Sequence, residues 1–585
     1  MQISIINTVP HATIPEKFFV DKCLELLYHG TIESYRLQLH NPKTALKELV
    51  NIARSRNNGE ISNDEHLKLM TAEIDSIFRK ETYLDSSNLS DGYRNTVLKN
   101  KTVKDVFYMA NLILKNNENY TISLFTQISG QIASLNADAY IIADKLKPLS
   151  ELTAYFLIEL REKGYSKRYL HKFITEIFFK SEATSFFNRM EILKGLINRT
   201  ESNFKVIIGF KLAAGMAAQV VILDPNLQKL NSQEISRITR STNLRIRDYF
   251  TARQPLTFYS LTVASLDYYQ ASFIVRRELQ STLDVLFMGY TNDHVNVDPL
   301  CVVMGPQDPS KASIQSLDYD LEGHFKGDQA LYNIFAANIS LMKTKEVSSD
   351  AINKIESALR YLRSGSGVSE IENKLLNYWI AIEYFFSGTD ANTNKVERAR
   401  NYFKKIHAIT YFKRLLVDFH NSIKLYHLEH LIPTFAEDME YLKDINTFTI
   451  VASNINTPAI AYRAQELVIR LSNRESIIKN LKNHSDKLEW NLMRIYRRRN
   501  SIVHSAKSEG DILDLTSHLK YYLVYIINSA IDFINHNPID MNMDGKISLD
   551  DFFLIRHVEF ENLMYDPHLD INRLMNYKNP LEYLT

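Results

Sequence analysis

The sequence predicts a mainly α-helical protein that contains one small α+β module. Apolar residues recur at helical spacing through residues 1–200 and again from residue 349 onward. Between residues 201 and 305, short runs rich in β-branched and aromatic residues replace that spacing. A hydrophobic content of 45% and a net charge of +1 are typical of a soluble globular protein. With 585 residues, the chain is long enough for several domains.

Residues 1–200 are predicted to form a helical domain with a sensing or regulatory role. Asn41 and Pro42 precede one amphipathic run, and Asp64 stands at the cap position of the next. Further helices are expected at residues 152–162 and 169–179. The phenylalanines near the end of this region indicate either a surface for another protein or ordinary helix packing.

Residues 201–305 are predicted to form the small α+β module. Its strands are expected at residues 204–210, 219–223, 256–263 and 283–287. One helix is expected over residues 232–250, and Ser265 is expected to cap a second.

Arginines cluster in this module: Arg237, Arg240, Arg245, Arg247 and Arg253. Arginine is well suited to contact nucleic-acid phosphate. The alternative is a solvated helix face, because Glu234 and Asp248 are interleaved with the arginines. The sequence leaves both interpretations open.

Residues 306–348 are predicted to be a connector, because Gly305-Pro306 and Asp308-Pro309 interrupt the pattern, with a short helix at 329–342. Residues 349–537 are then predicted to form a bundle of amphipathic helices, which short loops join in antiparallel order. These helices are expected at residues 351–362, 371–386, 396–425, 460–481, 486–506 and 512–535.

The helix at 486–506 carries a cation, an amide and an imidazole near its end. Arg499 falls on a helix stripe that is otherwise apolar and extends from Leu488 to Val503. A guanidinium buried on such a stripe needs a partner. Asn500 and His504 are four residues apart and therefore neighbours on an adjacent face. Histidine transfers protons near neutral pH, and the planar fork of arginine matches a phosphate group.

This Arg499-Asn500-x-x-x-His504 stretch resembles the R-x4–6-H signature of the HEPN superfamily, and it is closest to the ApeA-like HEPN domains of bacterial abortive-infection proteins. The helix that contains Trp379 and Glu383 resembles the early W-x-x-x-E helix of that family. The resemblance covers roughly the last two-fifths of the chain. It implies a HEPN helical bundle over residues 349–537 and a metal-independent endoribonuclease, which acts as a dimer with both motif copies in one cleft.

Two further pairs have the R-x4–6-H spacing, Arg400 with His407 and Arg414 with His420. The Arg-Asn start, the Ile-Val pair before the histidine and the helix carrying Glu383 favour residues 499–504 instead.

The resemblance assigns roles to individual residues. His504 is expected to act as general base or acid, and Arg499 to face the scissile phosphate beside Asn500, while Glu383 orients Arg499. The predicted contacts to the RNA backbone come from Arg497, Arg498 and Lys507. No cofactor is needed for catalysis, because RNA carries its own nucleophile in the 2′-OH. Alternatively, Glu383 and Arg499 form a buried ion pair that sets helix register, and His504 only finishes a helix.

On a regular helix, residues five apart lie about 140° from each other. Arg499 and His504 therefore do not share a face, and this separation favours a cleft between two protomers over a site on one exposed surface.

The tail, residues 538–585, contains a match to the EF-hand calcium loop. Gly545 permits the sharp turn, and helices are expected on both sides. The predicted oxygen ligands are Asp540, Asn542, Asp544, the Lys546 carbonyl, Ser548 and Asp551. Asp551 replaces the usual glutamate. We therefore expect the loop to bind Ca²⁺ weakly, or Mg²⁺ in its place, as a structural ion. The alternative is an empty Asp/Asn-rich turn.

The two cysteines, Cys23 and Cys301, lie far apart without metal-type neighbours. Their scarcity favours a reducing cytoplasm and argues against a disulfide framework. The N-terminus lacks the layout of a signal peptide, and no apolar run reaches membrane-spanning length.

The sequence thus predicts a bacterial cytoplasmic HEPN endoribonuclease, a toxin of anti-phage defence by abortive infection. Its expected partners are an RNA substrate, tRNA included, a second copy of the chain, and a phage protein as trigger. One alternative is a non-catalytic HEPN dimer that binds RNA or a partner protein. Another is a calcium-responsive scaffold in which the EF-hand-like loop is the working part.

Overall fold

The chain divides into two units: unit 1 contains residues 1–159 and 322–585, and unit 2 contains residues 160–321. As the sequence predicts, the protein is mainly helical with one small antiparallel sheet. The computed structural model describes residues 12–28, 40–59, 64–78, 102–138, 141–179, 185–212, 226–253, 255–286, 295–305, 312–319, 321, 323, 329–388, 395–505, 512–536, 538–541, 543–578 and 580.

The first part of unit 1 is helical. Its helices are α1 (Ile14–Leu27), α2 (Pro42–Asn57), α3 (Glu65–Phe78), α4 (Val103–Asn116), α5 (Tyr120–Asn136) and α6 (Lys147–Glu162), which reaches the unit boundary. Asn41 precedes the predicted helical run and caps α2, because its side chain accepts a hydrogen bond from the Thr44 backbone N at 2.8 Å. Pro42 occupies the first turn, where the missing N–H costs nothing.

Unit 2 contains the α+β module. Its elements are α7 (Lys167–Phe179), α8 (Phe186–Asn198), β1 (Ser202–Leu212), β2 (Gln228–Lys229), α9 (Ser232–Ser241), α10 (Leu244–Ala252), β3 (Thr257–Ser265), α11 (Tyr268–Leu286), β4 (Val295–Met304) and β5 (Ser313–Ser316). The five strands form one antiparallel sheet in the order β2-β3-β1-β4-β5. Because α7 and α8 belong to this unit, its boundary lies well before the predicted one at residue 200.

Both faces of the sheet are covered. Alternate residues of a strand point to opposite faces, so Val206 and Ile208 pack with Val275 of α11, while Ile207 packs with Ile246 of α10. The sheet is therefore a central layer, with α11 on one face and α9 and α10 on the other.

Several predicted elements of the module differ from the structure. The predicted strand at 283–287 is wrong, because residues 283–286 continue α11; Leu279 and Leu283 both reach the sheet core at helical spacing. The strands at this end are β4 and β5, and β5 lies in the predicted connector. The predicted strand at 219–223 falls outside the described residues.

Two helix predictions in the module also need correction. The predicted helix 232–250 is two helices, because Asn243 starts a new one by accepting a hydrogen bond from Ile246 N at 3.1 Å. Ser265 ends β3, and Asp267 caps α11 by accepting hydrogen bonds from Tyr269 N and Gln270 N.

The remainder of unit 1 is the C-terminal helical region. Its helices are α12 (Gln329–Met342), α13 (Ser349–Gly367), α14 (Ile371–Phe385), α15 (Lys395–Ile409), α16 (Tyr411–Leu425), α17 (Ile445–Ser453), α18 (Pro458–Leu471), α19 (Arg474–Ser505), α20 (Ile512–His536), α21 (Leu549–Tyr565) and α22 (Ile571–Met575). The predicted helix 396–425 breaks at Thr410, and the predicted gap between 481 and 486 is absent, since α19 is continuous.

Helices α13 and α14 approach each other closely at Gly365. A Cβ atom at this position would lie 2.5 Å from a ring carbon of Tyr378, closer than packed atoms tolerate. The missing side chain therefore permits the contact that fixes α14, the helix that carries Trp379 and Glu383.

Candidate functional site

The candidate site lies at the C-terminal end of α19. This helix packs against α3, α14, α15 and α20. Leu488, Leu492 and Ile495 are buried on its inner face, as the sequence predicts. Arg499, Asn500 and His504 follow in its last two turns.

Arg499 has two polar neighbours. Its Nη1 donates a hydrogen bond to Asn500 Oδ1 at 3.0 Å. Its Nη2 lies 3.9 Å from Glu383 Oε1, an ion-pair distance that is too long for a hydrogen bond. Glu383 Oε1 also accepts a hydrogen bond from Trp379 Nε1 at 2.6 Å. The structure thus brings together the cation and carboxylate that the sequence pairs.

The site is more accessible than the apolar stripe predicts. The side chains of Arg499 and Glu383 are 26% and 25% exposed, so they do not form a buried pair. Val503, expected on the buried stripe, is 50% exposed, and His504 is exposed beside it. The buried face of α19 therefore ends before its last turn, and both Arg499 and His504 can be reached from solvent.

Two acidic side chains from the N-terminal helices contact α19 one turn before Arg499. Arg494, which is almost fully buried, places Nε 2.8 Å from Glu48 Oε2 and Nη2 2.7 Å from Glu73 Oε2. Glu48 also pairs with Arg497, and its Oε2 lies 2.5 Å from His40 Nε2. Nothing in the sequence around the motif indicates these partners, because α2 and α3 are more than 400 residues away.

These contacts set the charge of Glu48. Burial alone would raise its pKa, but Arg494, Arg497 and His40 outweigh burial and hold the pKa well below its usual value. Glu48 is therefore an anion next to the candidate site.

The predicted RNA-binding residues are placed as follows. Arg497 is engaged by Glu48, and Arg498 is partly buried. Lys507 lies outside the described residues. In the described part of the chain, Arg497 therefore neutralises Glu48, and a phosphate group would have to compete for it.

An aromatic stack joins α3, α19 and α14 beside the site. The Tyr496 ring lies between His66 and Trp379, at centroid distances of 6.0 Å and 5.6 Å. Burial and the charge of Arg497 lower the pKa of His66 to about 4. His66 is therefore neutral at pH 7, and the stack holds Trp379 beside Glu383.

The two other pairs with R-x4–6-H spacing lie in the core. His407 is 1% exposed, and its Nδ1 lies 3.0 Å from His484 Nε2 and 3.0 Å from Arg414 Nη2. Arg400 is also buried and pairs with Glu489 at 3.1 Å. A polymer cannot reach either pair, so among the three, only residues 499–504 can serve as a site.

The tail loop adopts a tight turn in which carboxylates bind the backbone. Asp551 is fully buried; its Oδ1 accepts a hydrogen bond from Met541 N at 3.0 Å, and its Oδ2 accepts one from Ser548 N at 2.7 Å. Asp540 Oδ2 accepts one from Gly545 N at 2.7 Å. Gly545 has φ +81°, the left-handed conformation for which the sequence predicts glycine.

The fit of this loop to a metal ion is incomplete in the described chain. No three His, Cys, Asp or Glu side chains among the described residues lie together as a metal site, and Asn542 is not described. Asp544 Oδ1 accepts a hydrogen bond from Lys546 N at 2.9 Å, so it too serves the turn. One feature does suit a cation: Asp540 Oδ1 is buried, and no described atom donates a hydrogen bond to it.

The loop is also anchored to the segment before α13. Ile547 N donates to Glu346 O at 2.8 Å, and Ser348 N donates to Ile547 O at 2.9 Å, which forms a parallel bridge between Ile547 and Val347. The sequence does not indicate this contact, because nothing in residues 346–348 distinguishes them from a connector.

Comparison of the chain with protein-family models, curated proteins and solved structures finds no match. No helix in the described residues is long and apolar enough to cross a membrane.

Proposed function

We propose that the C-terminal region of unit 1 is a metal-independent HEPN-type endoribonuclease with Arg499 and His504 as its catalytic residues. The supporting observation is that the end of one helix carries both a partly exposed arginine, held between Asn500 and Glu383, and an exposed histidine. A long substrate can reach both groups.

The proposed chemistry is transfer of the phosphoryl group to the neighbouring 2′-oxygen of RNA. His504 removes the 2′-OH proton, the 2′-oxygen bonds to phosphorus, and the bond from phosphorus to the 5′-oxygen breaks. Arg499 stabilises the negative charge that builds up on the phosphate oxygens. The products are a 2′,3′-cyclic phosphate and a 5′-hydroxyl.

The leaving 5′-oxygen must also receive a proton, and one histidine cannot both hold the first proton and supply the second in a concerted step. A second copy of the chain supplies another His504. We therefore propose that the active form is a homodimer with both motifs in one cleft. The cytoplasmic location, the phage trigger and the role in abortive infection are proposals that rest on the family resemblance alone.

The test is cleavage of end-labelled RNA by the purified protein in EDTA, with His504→Ala and Arg499→Ala compared to wild type. His568→Ala is the matched control, because His568 is another exposed histidine and lies in the tail. Wild type and the control should yield fragments with 2′,3′-cyclic phosphate ends, and the two site variants should yield none. Equal cleavage by His504→Ala would rule out the proposed role.

One observation favours the second candidate, a non-catalytic dimer that binds RNA or a protein. Glu48 neutralises Arg497, which leaves less positive charge beside Arg499 to position an RNA backbone for cleavage, so binding at another surface without catalysis is the second candidate. RNA binding by wild type without any cleavage, in the same assay, would support this candidate.

For the tail loop, we propose a structural Ca²⁺ or Mg²⁺ ion, held by Asp540, Asn542, Asp544, the Lys546 carbonyl, Ser548 and Asp551. Asp540 Oδ1 supports it, because this oxygen is buried, no described atom donates a hydrogen bond to it, and a cation would offset the cost of burying its charge. The ion takes no part in the proposed reaction.

A further inference from the structure

We propose that the exposed face of α9 in unit 2 binds the phosphate backbone of RNA through Arg237 and Arg240. This surface lies in a different unit from the Arg499 site. The inference rests on the proposed function only in taking RNA as the partner.

Helix α9 has one apolar and one polar face. Ile238 is buried against the sheet, and Ile235 packs beside it. On the other side, Gln233, Ser236, Arg237 and Arg240 follow one another at helical spacing, and all are exposed. The arginines contribute nothing to the core, so their side chains are available to a partner.

The two arginines line a hollow. Its volume is about 650 Å³, and the described residues that line it are Ser232, Gln233, Ser236, Arg237 and Arg240. Guanidinium, hydroxyl and amide groups can all donate hydrogen bonds, and the described lining contains no carboxylate. Such a donor set suits the oxygens of an anion, and phosphate in particular.

One of the two acids interleaved with the arginines is already engaged, which favours the phosphate-binding interpretation. Glu234 Oε2 accepts a hydrogen bond from Asn231 N at 2.8 Å in the capping box of α9. Asp298 pairs with Arg253, whose guanidinium also lies 4.5 Å above the Tyr249 ring. Arg253 is therefore structural and does not belong to the exposed cluster.

The other four arginines keep their charge on the surface. Within the described residues, no carboxylate lies within ion-pair distance of Arg237 or Arg240, and the same holds for Arg245 and Arg247. Asp248 is the remaining exposed acid on these two helices. A surplus of positive charge therefore extends from α9 onto α10.

This arrangement suits a polymer better than a single small anion. Arg237 and Arg240 are three residues apart, so they are separated by about 4.5 Å along the helix axis. Arg245 and Arg247 lie on the next helix and, two residues apart, point to different sides of it, so they add positive charge around the pair. Arg237 and Arg240 can contact successive phosphates of one strand, and the surrounding positive charge attracts the rest of a polymer but adds little for one small anion.

The experiment measures binding of the full chain to a labelled 20-nucleotide single-stranded RNA by fluorescence anisotropy, from 50 to 200 mM KCl. The protein carries His504→Ala so that the probe stays intact. Adding Arg237→Gln with Arg240→Gln should raise Kd at least tenfold at 50 mM KCl. It should also flatten the slope of log Kd against log salt by about 1.4, because each lost phosphate contact removes about 0.7 on a single strand.

The matched control, Arg277→Gln with Lys211→Gln, removes the same charge at other exposed positions of unit 2. It should change Kd less than threefold. An equal loss in the control would mean that only net charge matters, and an unchanged Kd in the α9 variant would show that RNA does not bind there; either result overturns the inference. Because no cleavage is measured, absence of nuclease activity in the wild type would leave this test intact.

Discussion

Arg494 Nε of α19 lies 2.8 Å from Glu48 Oε2 of α2, although 446 residues separate them in the chain. Glu48 also contacts Arg497, and Glu73 of α3 contacts Arg494. The N-terminal helices therefore brace α19 one turn before Arg499. This bracing explains why residues 1–159 and 322–585 form one unit, and it makes the N-terminal region part of the surroundings of the candidate site.

We predict that Arg494→Ala destabilises unit 1 by about 3–5 kcal/mol, because it leaves buried carboxylates without their main partner. Arg56→Ala is the control, since its pair with Asp64 is 31% and 58% exposed and should contribute about 1 kcal/mol or less. Urea unfolding followed by circular dichroism measures both. Equally small losses of unfolding free energy in the two variants would mean that the ion pairs of Arg494 with Glu48 and Glu73 do not stabilise the position of α19.

Arg499→Ala, in contrast, should cost about 1 kcal/mol or less in stability. Glu383 is partly exposed and keeps its hydrogen bond from Trp379, so no buried charge is left alone. The same variant should abolish RNA cleavage. The urea midpoint and the cleavage rate of one preparation test both statements. A loss of several kcal/mol would indicate that Arg499 is a structural residue.

Mild acid should destabilise the fold through its buried histidines. Burial and nearby positive groups lower the pKa of His66 to about 4 and hold the pKa values of His407 and His484 well below their usual range. In the unfolded chain these groups titrate near the ordinary value of about 6.5. At these three positions the unfolded state therefore binds more protons below that pH, so the stability that the neutral histidines contribute is complete above pH 7 and falls as the pH drops.

At each of these histidines, the free energy of unfolding should fall by about 1.4 kcal/mol for every pH unit below 6.5. For His66 the loss should stop near pH 4, its folded pKa. Thermal melts from pH 7.5 to 5.0 measure how the free energy of unfolding changes with pH, and this slope counts the protons taken up on unfolding. His66→Asn should lower that number by one, whereas His568→Ala, at an exposed histidine, should leave it unchanged. Equal pH slopes for wild type and His66→Asn would contradict this assignment.

Calcium should raise the melting temperature if the tail loop binds it. At one hundred times the dissociation constant, the gain would be about 2.7 kcal/mol. Asp540→Ala with Asp544→Ala should cancel the gain, whereas Asp248→Ala, at an exposed acid of unit 2, should not. Identical melting curves with and without calcium would identify the loop as a metal-free turn, held by Asp551 and the bridge between Ile547 and Val347.

The sequence predicted features that depend on local pattern. Helical spacing located α20 and the later part of α19, and the EF-hand-like motif located the turn at Gly545. The pairing of Glu383 with Arg499 could also be predicted, because each is a charge on a largely apolar helix face. The helices and the turn depend on residues close together in the chain. The pairing could be inferred because each of the two helices has one charged residue on its apolar face.

Contacts between remote segments could not be predicted. Glu48 and Glu73 look like ordinary acids of amphipathic helices, and only the packing of α2 and α3 against α19 makes them partners of Arg494. The strand predicted at 283–287 failed because its apolar residues equally suit the buried side of α11. The exposure of Val503 depends on where the neighbouring helices end, and the residue pattern of α19 alone cannot indicate those ends.

The most direct test of the account is the rate of RNA cleavage in EDTA by wild type and His504→Ala at equal protein concentration. General acid–base catalysis by one side chain contributes about 10²- to 10⁴-fold. His504→Ala should lower kcat/KM by that factor and leave the melting temperature unchanged, and the wild-type products should end in 2′,3′-cyclic phosphate. A loss smaller than about threefold, in variant protein that is fully folded, would contradict the role of His504.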